Sequence, residues 1–219
     1  MNSITLHPRV MQVCRQLLDH GDIGSLRLIQ SQLLSRTGPP IGEQSTPDDL
    51  FTNIYGQRIH SDFPNNTILA PPAFASTPEA VQILLYLSDV EEVGGTTAVV
   101  PCDGPGDEAY YPPTGANEAG LVRTGQLGIP PHIWTNDRDQ TEARVRAVDP
   151  DMAAFRQRLY ARERLVKYTP GTALLYRMDT WHRGTRCFPN ARRRTMQLAY
   201  RDADAEWCSS WHKGWGRSM

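Results

Sequence analysis

Six histidines are the residues in this chain best able to do chemistry: His7, His20, His60, His132, His182 and His212. Two of them stand two places before an aspartate, in His20-Gly21-Asp22 and His60-Ser61-Asp62. Six histidines and fifteen aspartates in 219 residues give about 0.4 such pairs by chance, so context must separate them. His20 and Asp22 flank a glycine between two apolar-periodic stretches, where turn residues are expected anyway. His60 and Asp62 lie in a strand-like run, and residues i and i+2 of a strand share a face. An imidazole and a carboxylate can therefore converge there. His182 is the best candidate for a third ligand. It follows the strand signal Leu174-Leu175-Tyr176 and the turn Met178-Asp179-Thr180-Trp181. Two imidazoles and one carboxylate on one side of a metal leave positions open, as in non-haem Fe(II) oxygenases. Downstream, Asn190-Ala191-Arg192-Arg193-Arg194 leads into the strand signal Thr195 to Tyr200. An arginine aimed inward from such a strand can hold a carboxylate by two parallel hydrogen bonds.

The elements that must position these residues read as follows. Val10, Val13, Leu17 and Leu18 form one apolar stripe at helical spacing, and Ile23, Leu26, Ile29, Leu33 and Leu34 a second. The spacing thus predicts two N-terminal helices within residues 1–38. Short strands are predicted at Tyr55 to Phe63, Val81 to Leu87, Thr96 to Val100, Leu165 to Tyr168, Ala173 to Tyr176 and Thr195 to Tyr200. Residues 102–148 are rich in Gly, Pro, Asp and Asn and read as a long lid or insert loop. Asp149-Pro150-Asp151 signals a helix start, with Met152, Phe155 and Leu159 on one side. Strands joined by tight turns, with helices at the ends, predict a mainly β domain with flanking helices. No GxGxxG or GxxxxGKS loop is present, which leaves dinucleotide and P-loop chemistry without support.

Composition narrows the function classes. The 219 residues suit one domain. Lysine plus arginine (23) and aspartate plus glutamate (24) nearly cancel, against a nucleic-acid binder working through overall charge. No apolar run reaches the roughly 18 residues of a membrane helix, and no secretory leader pattern is seen. Cys14, Cys102, Cys187 and Cys208 lack CxxC spacing, so a reducing cytoplasm is the expected setting. His7, at the chain start, is expected to be solvated, and His212, among Trp207, Trp211 and Trp215, to be structural.

Four segments in order resemble the phytanoyl-CoA dioxygenase family of Fe(II)- and 2-oxoglutarate-dependent oxygenases. They are Ile59-His60-Ser61-Asp62-Phe63-Pro64; Tyr86-Leu87-Ser88-Asp89-Val90 leading to Gly94-Gly95-Thr96-Thr97-Ala98-Val99-Val100-Pro101; Pro170 to Tyr176 with Trp181-His182-Arg183-Gly184; and Asn190 to Tyr200. The resemblance covers 55–201 and implies a double-stranded β-helix (a cupin-like jelly roll) over that span, within one domain of 1–219. It implies His60, Asp62 and His182 as iron ligands. The family's 2-oxoglutarate arginine lies eleven residues after the distal histidine, at Arg193. Arg193 is then the one cation expected buried beside the far carboxylate, with Arg192 and Arg194 on the opposite face. Thr97 would place a hydroxyl near the cosubstrate. Where the family often reads Pro-Gly-Ser-His, this chain reads Pro101-Cys102-Asp103-Gly104. The implied activity uses Fe(II), 2-oxoglutarate and O2, hydroxylates a C–H bond of a small-molecule substrate, and releases succinate and CO2. Because Asp62 is present, hydroxylation is expected over the halogenation of related enzymes that lack this carboxylate. A cupin-like metal-binding protein or isomerase without oxygen chemistry is the alternative.

Overall fold

A computed structural model describes residues 2–18, 26–40, 56–61, 80–110 and 138–202. Two antiparallel sheets dominate it. The larger has four strands, ordered β1 (Leu26–Thr37), β7 (Arg192–Asp202), β2 (Ala80–Tyr86) and β5 (Ala173–Arg177). The smaller has β4 (Arg164–Leu165), β3 (Thr97–Val99) and β6 (His182–Gly184). The chain is thus sheet-rich with flanking helices.

The outer face of the larger sheet is apolar. Val81, Ile83, Met196, Leu198 and Tyr200 alternate along β2 and β7 and pack against Met11, Cys14 and Leu18 of the N-terminal helix segment. That helix, α2 (Pro8–Leu17), follows the single turn α1 (Asn2–Thr5). Its buried stripe is Met11 and Cys14, one residue off the predicted one, and Leu17 is exposed. His7 is its N-cap, with Nδ1 accepting the Arg9 N–H at 3.2 Å, so this histidine has a structural task.

The second predicted helix is a strand. Leu26–Thr37 pairs along its length with β7, from Leu26 opposite Asp202 to Thr37 opposite Arg192. A bulge between Leu28 and Gln30 inserts one extra residue. Leu26 packs on the outer face and Ile29 on the inner. The bulge breaks the period of two, and the resulting three-residue spacing imitates a helical stripe. Eleven paired positions outweigh the weak local preference.

The stretch expected as a long loop also holds structure. Glu108–Tyr110 forms a 3₁₀ turn and Arg138–Val148 forms a helix, α4; the turn-like α3 (Val90–Val93) precedes them in the chain. The part between, 111–137, lies outside the described residues, as do His20, Asp22, Asp62, Arg123, His132, Cys208, His212 and the tail tryptophans. Helix α4 buries Thr141, Glu142 and Val145. With one aliphatic residue among the three, it shows no apolar period to read. Helix α5 (Pro150–Arg162) begins where its signal stands. Asp149 caps it by accepting the Met152 N–H at 2.9 Å, and Met152, Phe155 and Leu159 are buried with Ile59, Val100 and Trp181. Leu165 to Tyr168 is strand only over Arg164–Leu165, and Tyr55 to Phe63 is seen as an extended piece, 56–61, with one bridge at His60.

Candidate active site

His60 and His182 are brought together by backbone pairing. The His60 N–H donates to the His182 carbonyl at 2.9 Å, and the His182 N–H donates back at 2.7 Å. Their rings lie with centroids 4.5 Å apart. Each imidazole is held the same way: Nδ1 of His60 lies 3.1 Å from the Arg58 carbonyl, and Nδ1 of His182 2.9 Å from the Thr180 carbonyl. A carbonyl only accepts, so Nδ1 must carry the proton in both rings. In the neutral ring Nε2 then bears the lone pair, the form in which histidine binds a metal. Among the described residues no third His, Cys, Asp or Glu joins them.

The strand carrying His60 is clamped from behind by helices α4 and α5. The Tyr160 hydroxyl accepts the Ile59 N–H at 2.9 Å and donates to Glu142 at 2.8 Å. Arg156 donates one hydrogen bond to the Ile59 carbonyl at 3.0 Å and two-pronged bonds to Glu142. The Arg156 and Glu142 side chains are 1% and 8% exposed. Both backbone groups next to His60 are thus fixed by a buried ion pair. Burial, and then the neighbouring Arg156 charge, lowers the Arg58 pKa to about 10. No periodic signal announced this clamp, because its members are polar residues on the inward face of a polar helix.

The two histidines open onto a cavity of about 230 Å³ between the sheets, also lined by Arg36, Gln57, Thr97, Tyr176, Gly184, Arg193 and Gln197 among others. Thr97 accepts the Tyr86 hydroxyl proton at 2.8 Å, which leaves its own O–H as a donor. Burial raises the Tyr86 pKa, so this donor stays protonated. Arg193 is 4% exposed, while Arg192 and Arg194 are exposed, as strand alternation requires. One Arg193 Nη donates to the Gly95 carbonyl at 2.9 Å, and its buried Nε has no partner. Gly94 and Gly95 adopt φ +57° and +60°, and a side chain on either would strike Phe188 or Cys187. This pair of left-handed residues turns the Gly95 carbonyl toward Arg193.

Arg36 was not anticipated. The sequence points to one buried cation at this end of the cavity, and the structure adds a second, half-buried one, since Arg36 of β1 stands directly opposite the buried Arg193 of β7. The only signal for it was its parity with Leu34, which the helical reading of that segment hid. Arg144 and Arg146 of α4 are exposed.

No family model matches the chain, and no curated protein matches it. Solved structures do. The chain is similar to the non-heme alpha ketoglutarate dependent carbocyclase SnoK from nogalamycin biosynthesis, at TM-score 0.57 and 17% identity over 100% of this chain and 64% of that one. It is similar to EctD from S. alaskensis, solved with 2-oxoglutarate and 5-hydroxyectoine, at TM-score 0.56 and 16% identity over 95% and 54%. It is similar to the epimerase SnoN, solved with Fe3+, alpha ketoglutarate and nogalamycin RO, at TM-score 0.52 and 18% identity over 94% and 60%. The chain therefore spans less than two thirds of the length of these proteins. What it shares with them is the fold: the sheet-rich scaffold on which non-heme, 2-oxoglutarate-dependent enzymes of several activities are built.

Proposed function

We propose that this protein is an Fe(II)- and 2-oxoglutarate-dependent oxygenase of the phytanoyl-CoA dioxygenase type, with a jelly-roll core over 55–201 and a small-molecule substrate. The observation that carries this reading is one cavity with two Nδ1-protonated imidazoles at its wall and a buried arginine at its end. His60 and His182 would hold the metal through Nε2, with Asp62 as the carboxylate ligand two residues along from His60. Among the described residues of this lining there is no thiolate, and imidazole suits iron, so these two donors fit. Arg193 would pair with the far carboxylate of 2-oxoglutarate, and Thr97 would donate to a cosubstrate oxygen. When bound, the iron and its cosubstrate supply oxidising power toward an unactivated C–H bond, with release of succinate and CO2.

The protein's own part is binding, orientation and exclusion of water. The clamp on Ile59 keeps His60 from shifting against His182. The carbonyls of Arg58 and Thr180 fix both rings. Burial of Arg193 concentrates its charge on whatever carboxylate enters. The alternative, a cupin-like metal protein without oxygen chemistry, gives no reason to bury a cation with a free Nε in the same cavity. Succinate release from 2-oxoglutarate with Fe(II), measured over a panel of small-molecule substrates, tests the proposal. Substrate-dependent succinate with a product gain of one oxygen atom supports it. Metal binding without any turnover of 2-oxoglutarate would return the choice to the alternative.

A further inference from the structure

The cross-strand pair Arg36 and Arg193 is a poor arrangement for an empty protein. Like charges directly opposite on a sheet repel, and the burial of Arg193 and half-burial of Arg36 weaken the screening. Burial, and next the charge of Arg193, lowers the Arg36 pKa to about 10. Among the described residues neither guanidinium forms an ion pair with a carboxylate. The neighbouring sheet is shaped to admit the second cation. A Cβ placed on Gly184 would lie 2.2 Å from Nη1 of Arg36 and 2.9 Å from its Cζ. Gly184 stands two residues after His182 on β6, so Arg36 reaches across the cavity from the larger sheet to the strand of the metal histidine. Gly184 itself is fixed there, its N–H donating to Gln57 Oε1 at 2.9 Å.

We propose that Arg36 and Arg193 form a two-guanidinium site for one carboxylate, with Arg36 as the second cation on the far carboxylate of the cosubstrate. This rests on the reading above that Arg193 serves that carboxylate. The chemistry is complementary. A carboxylate offers about four lone-pair positions, enough for two planar forks. One anion placed between the guanidiniums turns a repulsion into two attractions. It also uses the Arg193 Nε, which the protein leaves without a partner. The glycine at 184 follows from the same device, since any side chain would push the Arg36 fork out of the cavity.

The test is calorimetric titration of 2-oxoglutarate into the Mn(II)-loaded full chain, with thermal melts of the ligand-free protein alongside. Arg36→Gln should raise the Kd for 2-oxoglutarate about thirty-fold while leaving Mn(II) affinity unchanged. Its ligand-free Tm should equal or exceed that of the wild type, because a repulsion is removed. Arginine serving only as structure would give the opposite pattern, a lower Tm with unchanged Kd, and that overturns the proposal. Gly184→Ala is the second variant. It keeps every charge, displaces the guanidinium, and should weaken 2-oxoglutarate in the same direction. An unaltered Kd in Gly184→Ala also counts against the site. A separate arm titrates glutarate and inorganic phosphate into the metal-free protein. Arg36-dependent binding of either anion, with no metal-dependent binding of 2-oxoglutarate, sustains the cation pair and sinks the oxygenase reading. No binding of any of the three anions to the wild type overturns the pair.

Discussion

A neutral histidine that donates its Nδ1–H to a backbone carbonyl keeps a lone pair on Nε2, and here two rings held this way share a cavity wall. On the proposed reading, removing either ring would remove a metal ligand without touching the backbone bridge that joins the two segments. Both His60→Ala and His182→Ala are therefore expected to fold and to lose most affinity for Fe(II), read by calorimetry. Arg193→Ala should cost about 2 to 5 kcal/mol in 2-oxoglutarate binding, whereas Arg192→Ala should leave the KM for 2-oxoglutarate nearly unchanged. Arg192 is exposed, with Nε on Ser35 at 2.8 Å. Equal KM values would mean that the inward face of β7 is misassigned. That His60 and His182 meet and that Arg193 faces inward was readable from the sequence, because the strand period states which residues share a face. Arg36 was not legible, because its meaning depends on a pairing partner 157 positions away (Arg193 minus Arg36) and on a glycine in another sheet.

Single elements hold together here by polar contacts that sequence periodicity does not reveal. Helix α4 contributes one buried aliphatic side chain, Val145, and is tied to α5 through Glu142, caught between Arg156 and Tyr160. Breaking this pair from one side leaves a buried charge without its partner. Arg156→Met should cost about 3 to 5 kcal/mol by urea unfolding. The double variant Glu142→Leu with Arg156→Met should recover a large share of that loss. A single variant that costs as little as the double would show that the ion pair is idle. The 3₁₀ turn is tied to α5 in the same manner, by Asp107 and Arg162. Hydrogen bonds from Arg162 hold the Asp107 carboxyl well below its ordinary value of 3.8. A depressed carboxylate contributes stability above its unfolded-state pKa, and the contribution fades as pH falls from about 4 toward the folded-state value. Asp107→Asn should flatten the acid limb of the stability curve between about pH 4 and 2, while leaving its shape near neutrality unchanged.

Two larger apolar cores and a polar gap organise the described residues. One core lies between α2 and the outer face of the larger sheet; the other joins α5 to Ile59, Val100 and Trp181. Between the sheets the lining is Arg, His, Gln and Thr as much as aliphatic, which is where a purely structural sandwich would be driest. The sheet-rich class was readable from turns and alternation, since those are local signals. The strand order and the identity of β1 were not, since they depend on pairing between distant segments and on a bulge. Linkage turns this architecture into a measurable expectation. On the proposed reading, a metal held by His60 and His182 and a carboxylate held by Arg193 would connect β6 with β7, that is, one sheet with the other. A ligand bound only by the folded state stabilises it by RT ln(1 + [L]/Kd), about 2.7 kcal/mol at one hundred times Kd. For a chain of this length each kcal/mol shifts Tm by roughly 2 to 4 °C, so saturating 2-oxoglutarate with Mn(II) should raise Tm by roughly 5 to 10 °C. EDTA should reverse most of that shift, and His182→Ala should show little of it. An equal rise in the histidine variant would place the ligand elsewhere than between the sheets.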